Sequence, residues 1–320
     1  MTDKLQGLVE NTNEEYHSGP GISKSMLDSI SISPLNFWDQ YINPDREERE
    51  FKRAFAFGDG THKIVLEPGT FEESYIVGFD KTAYPDALNT ADDMKQALSK
   101  RNAMSGGSKP ELARRLVEEE GFSRSDILMY LEEDHKASYG NKQEIPASDY
   151  KDIMAMLKNI NSHHTAAGLL KDASVEQSFY WTDQAGILRK CRTDAISACG
   201  RFVLDLKTTD FDVSAAGFGR TVMQRRYHVQ AAWYLDVLRG LYGAGAPQTF
   251  VFIVAQKKRP YDVSVQFLSA EQVEVGRILY QNDYERLIQC QQADYWPGAD
   301  GGAILQAELP LWHTNQVLGS

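Results

Sequence analysis

Cysteine is scarce: the 320 residues hold three, Cys191, Cys199 and Cys290. An odd, widely spaced set offers no disulfide framework, and three thiols are too few for a four-cysteine zinc or iron–sulfur site. A reducing, cytoplasmic location is therefore expected. Long apolar runs are missing too. The longest candidate, Phe250-Val251-Phe252-Ile253-Val254-Ala255, has the length of a strand, well short of the ~18 residues of a membrane span. Met1-Thr2-Asp3-Lys4 lacks the basic-then-apolar pattern of a secretory signal, and no membrane partner is expected. Positive charge is in deficit, with 34 Lys and Arg against 45 Asp and Glu and a net charge of -11. Taken alone, that speaks against nucleic acid, whose phosphates a binder neutralises. An enzyme that holds metal against phosphate concentrates carboxylates, however, so the total does not decide.

What is present reads as a folded chain. Hydrophobic residues make up 42% and charged residues 25%, which argues against wholesale disorder. The length allows two domains, or one large domain with an insertion. Residues 1–20, with Gly19-Pro20-Gly21 at their end, read as a flexible N-terminal tail ending in a turn. A short helix is expected over 23–30. Ser33-Pro34 then supplies an N-cap and a first-turn proline for a second helix over 35–42. Phe57-Gly58-Asp59-Gly60 reads as a turn entering a helix that Glu67-Pro68-Gly69 stops. Residues 81–149 change texture: they are charged, helical in spacing and poor in strand signal, and are expected to be an inserted helical module. Strands are then expected over 175–181, 187–196 and 202–208, a long helix over 219–241, strands over 249–255 and 262–267, and a helix over 271–292. The expected fold class is α/β (α+β), with a core formed by 21–80 and 150–320.

The two middle strands carry the chemistry. If Cys199-Gly200 forms the hairpin turn, Ala198 faces Arg201 and Asp194 faces Asp205. Period-two alternation sends Asp205 and Lys207 to one face and Leu204 and Leu206 to the other. Like charges opposite one another destabilise a sheet, and charged residues are depleted in strands. A divalent cation between the carboxylates turns that cost into a site. Magnesium takes oxygen ligands, often one or two carboxylates plus substrate phosphate, and polarises a phosphoryl oxygen. Lys207 would orient or help deprotonate the attacking water, or neutralise charge on the phosphate. Solvated charges on an ordinary hairpin are the plain alternative. Glu176, in the preceding strand, could add a third carboxylate. Downstream, Tyr227, Gln230 and Tyr234 share a helix face that could line a DNA groove, although such a stripe also suits a core. His62 sits in the helix after Gly58.

In this order, Gly58-x-x-x-His62, Glu176, Asp194, Asp205-Leu206-Lys207 and Gln230-x-x-x-Tyr234 resemble the signature of the RecB-like branch of the PD-(D/E)XK nucleases. Gly21-Ile22-Ser23-Lys24-Ser25-x-Leu27-Asp28, Leu66-Glu67-Pro68, Cys191-Arg192-x-Asp194, Asp205-x-Lys207-Thr208-Thr209, Arg226-Tyr227-His228-Val229-Gln230, Phe250-Val251-Phe252 and Leu309-Pro310-x-Trp312 resemble the RecE-type (exonuclease VIII) nuclease domains. The resemblance implies a PD-(D/E)XK core with a mixed sheet flanked by helices. It implies a Mg2+-dependent exodeoxyribonuclease, with Mn2+ able to substitute, that degrades one strand of linear duplex DNA from its 5′ end. The 3′ overhang would serve a RecT-like single-strand annealing protein in recombination, in a bacterial or phage-infected cell. A homo-oligomeric ring, a tetramer in the RecE type, is implied as well. By the same carry-over, Asp194, Asp205, the carbonyl of Leu206 and His62 would ligate metal. Lys207 would be the catalytic lysine, Glu176 would assist, and Gln230 and Tyr234 would position DNA, with Tyr227 and Arg226 beside them. Ser23, Lys24 and Ser33, near expected helix N-termini, are candidates for the terminal 5′-phosphate.

Residues 90–121 fall outside the nuclease likeness. Met94-Lys95-x-x-Leu98, Gly107-x-Lys109 and Glu111-Leu112-x-x-Arg115-Leu116 resemble a SAP motif, a small helix-loop-helix DNA-binding unit. Lys109, Arg114 and Arg115 would then contact phosphates without reading sequence. Two other functions remain open on the residues: an endonuclease or repair nuclease on the same core, and a DNA-end-binding scaffold without activity.

Overall fold

A computed structural model describes residues 5–46, 53–309 and 311–318. In chain order the elements begin with β1 (Gly7–Val9), α1 (Asn13–Ser18), α2 (Lys24–Ile32), α3 (Pro34–Tyr41), α4 (Arg53–Leu66), α5 (Phe71–Ser74) and β2 (Tyr75–Val77). Then come α6 (Ala91–Ser99), α7 (Lys109–Glu118), α8 (Leu128–Ala137), β3 (Gln143–Ile145), α9 (Ala147–Ser162) and α10 (His164–Leu170). The remainder is β4 (Ser174–Thr182), β5 (Leu188–Ile196), β6 (Phe202–Thr209), α11 (Ala215–Gln224), α12 (Tyr227–Tyr242), β7 (Thr249–Gln256), β8 (Val263–Phe267), α13 (Ala270–Ala293) and α14 (Leu311–Leu318). The chain divides into two compact units. One comprises Met1–Glu50, His164–Val254 and Ser264–Ser320, the other Phe51–His163 and Ala255–Val263.

The first unit is built on a six-stranded sheet in the order β1-β4-β5-β6-β7-β8, with β1–β4, β4–β5 and β5–β6 antiparallel. The strands are rich in the branched and aromatic side chains that suit a pleated surface. Helix α12 lies against β4 and β5, and α13 packs on α12 and α2. Their shared core contains Leu27, Ile30, Phe37, Phe179, Val229, Trp233, Phe250, Phe252 and Leu287. The crossing of α12 and α13 is close enough to require glycine. A Cβ on Gly276 would stand 2.1 Å from the His228 carbonyl oxygen. Helix ends follow the chemistry of the sequence: the Ser33 hydroxyl accepts from the Asn36 amide with Pro34 in the first turn of α3, and Ser269 with Gln272 forms a capping box on α13.

The second unit has its own core. Met94, Leu98, Leu112, Ala113, Leu116 and Ile127 close α6 and α7 into a small helix-loop-helix. Strands β2 and β3 pair in parallel. Among the described residues, no helix is long and apolar enough to cross a membrane.

The structure differs from the sequence reading at four places. Residues 7–9, expected in a flexible tail, form edge strand β1 on β4, and α1 follows with a capping box between Thr12 and Glu15. Three residues are too few to show a period in sequence. Gly58 and Gly60 do not make a turn, because α4 runs straight through them. Gly60 instead lets Ile145 approach, whose Cδ1 would lie 2.5 Å from an added Cβ. That packing and the β2–β3 pairing join the flanks to the module expected at 81–149, so the compact unit is larger than the insertion. The helix expected over 219–241 is two helices, broken at Arg226 (φ 53). Pro310 and the side chain of Trp312 lie outside the described residues.

Candidate functional site

The hairpin β5–β6 follows the expected register near its turn, where Ala195 pairs with Leu204 and Ile196 with Val203. The turn itself is longer than two residues: the Ser197 amide donates to the Phe202 carbonyl at 3.0 Å, leaving four residues in the loop, with Gly200 at φ 71. At the next step the strands change partners. Asp194 Oδ2 accepts from the Leu206 amide at 2.7 Å, so a side-chain carboxylate takes a main-chain donor of β6. The acidic residue is thereby fixed against the strand that carries Asp205 and Lys207.

Asp205 is 2% exposed. Burying a carboxylate is costly unless it is paired and hydrogen-bonded, and both conditions are met. Gln230, buried on α12, donates from Nε2 to Oδ1 at 2.5 Å, and Lys207 Nζ lies 2.7 Å from Oδ2. The ammonium also sits 4.7 Å from the centre of the Tyr227 ring. Burial works to lower the pKa of Lys207, but the carboxylates of Asp205 and Asp194 and the nearby Tyr227 outweigh it and hold the amine above its ordinary value. Lys207 is therefore a charged group fixed on two sides.

Glu176 and Asp194 fall at one position between paired residues of β4 and β5. On either side of that position β4 and β5 are in register, with Val175 opposite Ala195 and Gln177 opposite Thr193. The backbone of Glu176 is left-handed, φ 49, a conformation that costs an L-residue roughly 1–2 kcal/mol. Strain of this kind gathers at functional sites. A carboxylate oxygen of Glu176 and one of Asp194 lie within 4.8 Å of each other. Arg192 Nε donates to Glu176 Oε2 at 2.9 Å.

The α11–α12 break organises a second cluster. Arg226 pairs with Asp28 at 3.1 Å and with Asp283, two anions from α2 and α13 that offset its left-handed backbone. Lys24 pairs with Asp28 at 2.6 Å and donates to the Arg225 carbonyl at 3.3 Å, and burial lowers its pKa. Ser23 is buried, with its Oγ 3.0 Å from that of Ser25. Ser33 is engaged elsewhere, because its hydroxyl caps α3.

Other expected site residues have structural duties. Tyr234 packs edge-on against Phe250 at 5.9 Å, and burial drives its pKa far up. Tyr227 packs against Phe218 and Phe252 as well as facing Lys207. In the second unit, His62 is half-buried on α4. Arg115 Nη1 donates to the Met104 and Gly106 carbonyls at 2.6 and 3.0 Å, pinning the loop before α7. Arg114 pairs with Glu118 at 2.6 Å on an exposed face, and Lys109 begins the same helix half-buried.

The sheet brings Asp194, Asp205, Lys207 and Glu176 to one region. The bonds from Gln230 to Asp205 and from Arg192 to Glu176 lie outside what strand alternation predicts. The Cys191-Arg192-x-Asp194 run was a signal for Arg192, since residues two apart on a strand share a face. The donor set is made of carboxylates, which fits a hard divalent ion of the magnesium class.

An Asp on one strand, an Asp-x-Lys on the next and helices on the sheet define the PD-(D/E)XK nuclease fold. Nucleases of this class are typically divalent-metal dependent. Residues 23–305 match the PDDEXK-like domain of unknown function (DUF3799), and the chain belongs to that family. Among solved structures, it is similar to a protein from Eubacterium rectale described as a "Putative exonuclease". That likeness has 13% identity and a TM-score of 0.56, and covers 96% of this chain and 98% of that one. It speaks for the fold alone. The structure of SSO0001 matches over 60% of this chain and 83% of that one at 14% identity, with a TM-score of 0.26. No curated protein matches.

Proposed function

We propose that this protein is a magnesium-dependent exodeoxyribonuclease that resects linear duplex DNA from 5′ to 3′ and leaves 3′ single-stranded overhangs. The observation that carries the nuclease reading is the meeting of Asp205, Lys207, Asp194 and Glu176 on neighbouring strands, with Gln230 holding Asp205. Asp194, Asp205 and the Leu206 carbonyl would hold the cation, which supplies Lewis-acid polarisation of the phosphodiester when bound. His62 is proposed as a further ligand on the resemblance alone. Gln230 keeps Asp205 in place, Glu176 adds negative charge beside Asp194, and the Lys207 ammonium orients the attacking water and neutralises charge developing on the phosphate.

The finer parts of the proposal rest on the likeness to RecE-type domains. Ser23 and Lys24 would receive the 5′-phosphate beside Arg226; Ser33, at the other end of α2 and engaged in the α3 cap, is set apart from them. Tyr227, Gln230 and Tyr234 would support the scissile strand. Lys109, Arg114 and Arg115 would add phosphate contacts from the SAP-like module. A ring of identical subunits, a tetramer, would hold the duplex, and a RecT-like annealing protein would take up the overhang in the cytoplasm of a bacterial or phage-infected cell.

End-labelled substrates test the direction. With Mg2+, a duplex labelled at its 5′ phosphates should release label in the first products, and one labelled at its 3′ ends should keep it in long strands. Covalently closed circles should stay intact. Cutting of closed circles as fast as linear ends would make the protein an endonuclease, and loss of the 3′ label first would reverse the polarity.

A further inference from the structure

Four side chains form a square on one face of β4 and β5. Glu176 and Asp194 bring carboxylate oxygens within 4.8 Å of each other, and two residues along, Ser178 pairs with Arg192. Arg192 spans this square. Its Nε donates to Glu176 Oε2 at 2.9 Å and its Nη1 to Ser178 Oγ at 2.6 Å. The same Nη1 reaches the Asn11 carbonyl oxygen at 3.1 Å and Asn11 Oδ1 at 3.3 Å, just beyond edge strand β1. The side chains of Arg192 and Glu176 are 13% and 20% exposed, so water screens them little.

Two features of Glu176 need an external hold. Its left-handed backbone is unfavourable for a residue with a side chain, and its carboxylate lies close to that of Asp194. A planar guanidinium with several fixed donors grips an anion and two neutral residues at once, at less ordering cost than an ammonium on a flexible stem. We propose that Arg192 is the positioning residue of the metal site. It fixes Glu176 beside Asp194, balances the negative pair, and anchors that arrangement to the N-terminal segment through Asn11. The inference rests on the nuclease reading, because it assigns Arg192 to the same acidic cluster. Partners that orient metal-site residues typically change metal affinity or activity about 10–100-fold when removed.

The test is a double-mutant cycle read by cation binding rather than by turnover. The full-length protein, free of DNA, is titrated calorimetrically with Mn2+, for wild type, Arg192→Met, Glu176→Gln and the double variant. Arg192→Met should weaken Mn2+ binding about tenfold or more, and should add almost nothing once Glu176 is already Gln. Arg192→Lys should recover only part of the loss. Should Arg192→Met fail to fold, Arg192→Lys in the same cycle carries the comparison. Equal losses from the arginine variant with and without the Glu176 carboxylate, or affinity unchanged in Arg192→Met, overturn the inference. Wild type that binds no Mn2+ would instead overturn the nuclease reading beneath it.

Discussion

Replacing Lys207 by methionine separates what the lysine does for the fold from what it does for chemistry. Methionine keeps much of the stem and removes the charge, while the Asp205 carboxylate stays 2% exposed and keeps its bond from the Gln230 amide. Breaking a buried ion pair from one side costs about 3–5 kcal/mol, because the remaining charge is left buried. The Lys207 side chain is 18% exposed, so water reaches part of its place and the lower end applies, about 3 kcal/mol. Urea unfolding in chelator should show that loss. Adding Asp205→Asn to Lys207→Met removes the stranded charge while keeping an acceptor for Gln230, and should restore stability to within about 1 kcal/mol of wild type. Mg2+ should also repair the single variant, by about 2.7 kcal/mol at a hundred times its dissociation constant, while DNA cleavage stays lost. If Lys207→Met unfolds in chelator at the wild-type urea concentration, or if the double variant is no better than the single one, Lys207 does not stabilise the buried Asp205 carboxylate.

Three further outcomes follow. Lys190 is 2% exposed, donates to the Tyr16 and Gly19 carbonyls at 2.6 Å each, and burial pushes its pKa down to about 8. Below pH 8 both folded and unfolded chains carry that proton. Between pH 8 and the ordinary lysine value of about 10.4 the unfolded chain binds more protons, so stability rises with pH. The stability difference between wild type and Lys190→Met should therefore shift in favour of wild type by about 1 kcal/mol from pH 8 to 9, and a flat difference would contradict the burial argument. In the second unit, Lys109→Ala with Arg114→Ala should lower the slope of log affinity against log salt by about 1–2 for duplex DNA. Arg115→Ala should act through the loop it pins, lowering the melting temperature as well.

The sequence made the acidic hairpin legible because its information is local. Alternation and one glycine placed Asp205 and Lys207 together and set the register that Ala195 and Leu204 adopt. The same locality hid how the site is finished. Asp194 does not simply pair with Asp205, because its carboxylate takes the Leu206 amide, a choice between side chain and main chain that no period encodes. The left-handed backbones at Glu176 and Arg226 carry no glycine or proline to announce them. Their partners come from other elements, Arg192 on the next strand for the first, and Asp28 and Asp283 on α2 and α13 for the second. Ser33 shows the opposite case: Ser-Pro marked a helix start, and the hydroxyl is engaged in that cap. Gly58 and Gly60 misled because glycine serves close packing as readily as it serves turns.

The most direct measurement is acid-soluble nucleotide released from 5′-phosphorylated linear duplex by the full-length protein, with Mg2+ and with chelator, for wild type and Asp205→Ala. Release by wild type with Mg2+, and none with chelator or from Asp205→Ala, is the expected result. Equal release by both proteins, or none by wild type in Mg2+, would contradict a cation held by these carboxylates as the seat of hydrolysis.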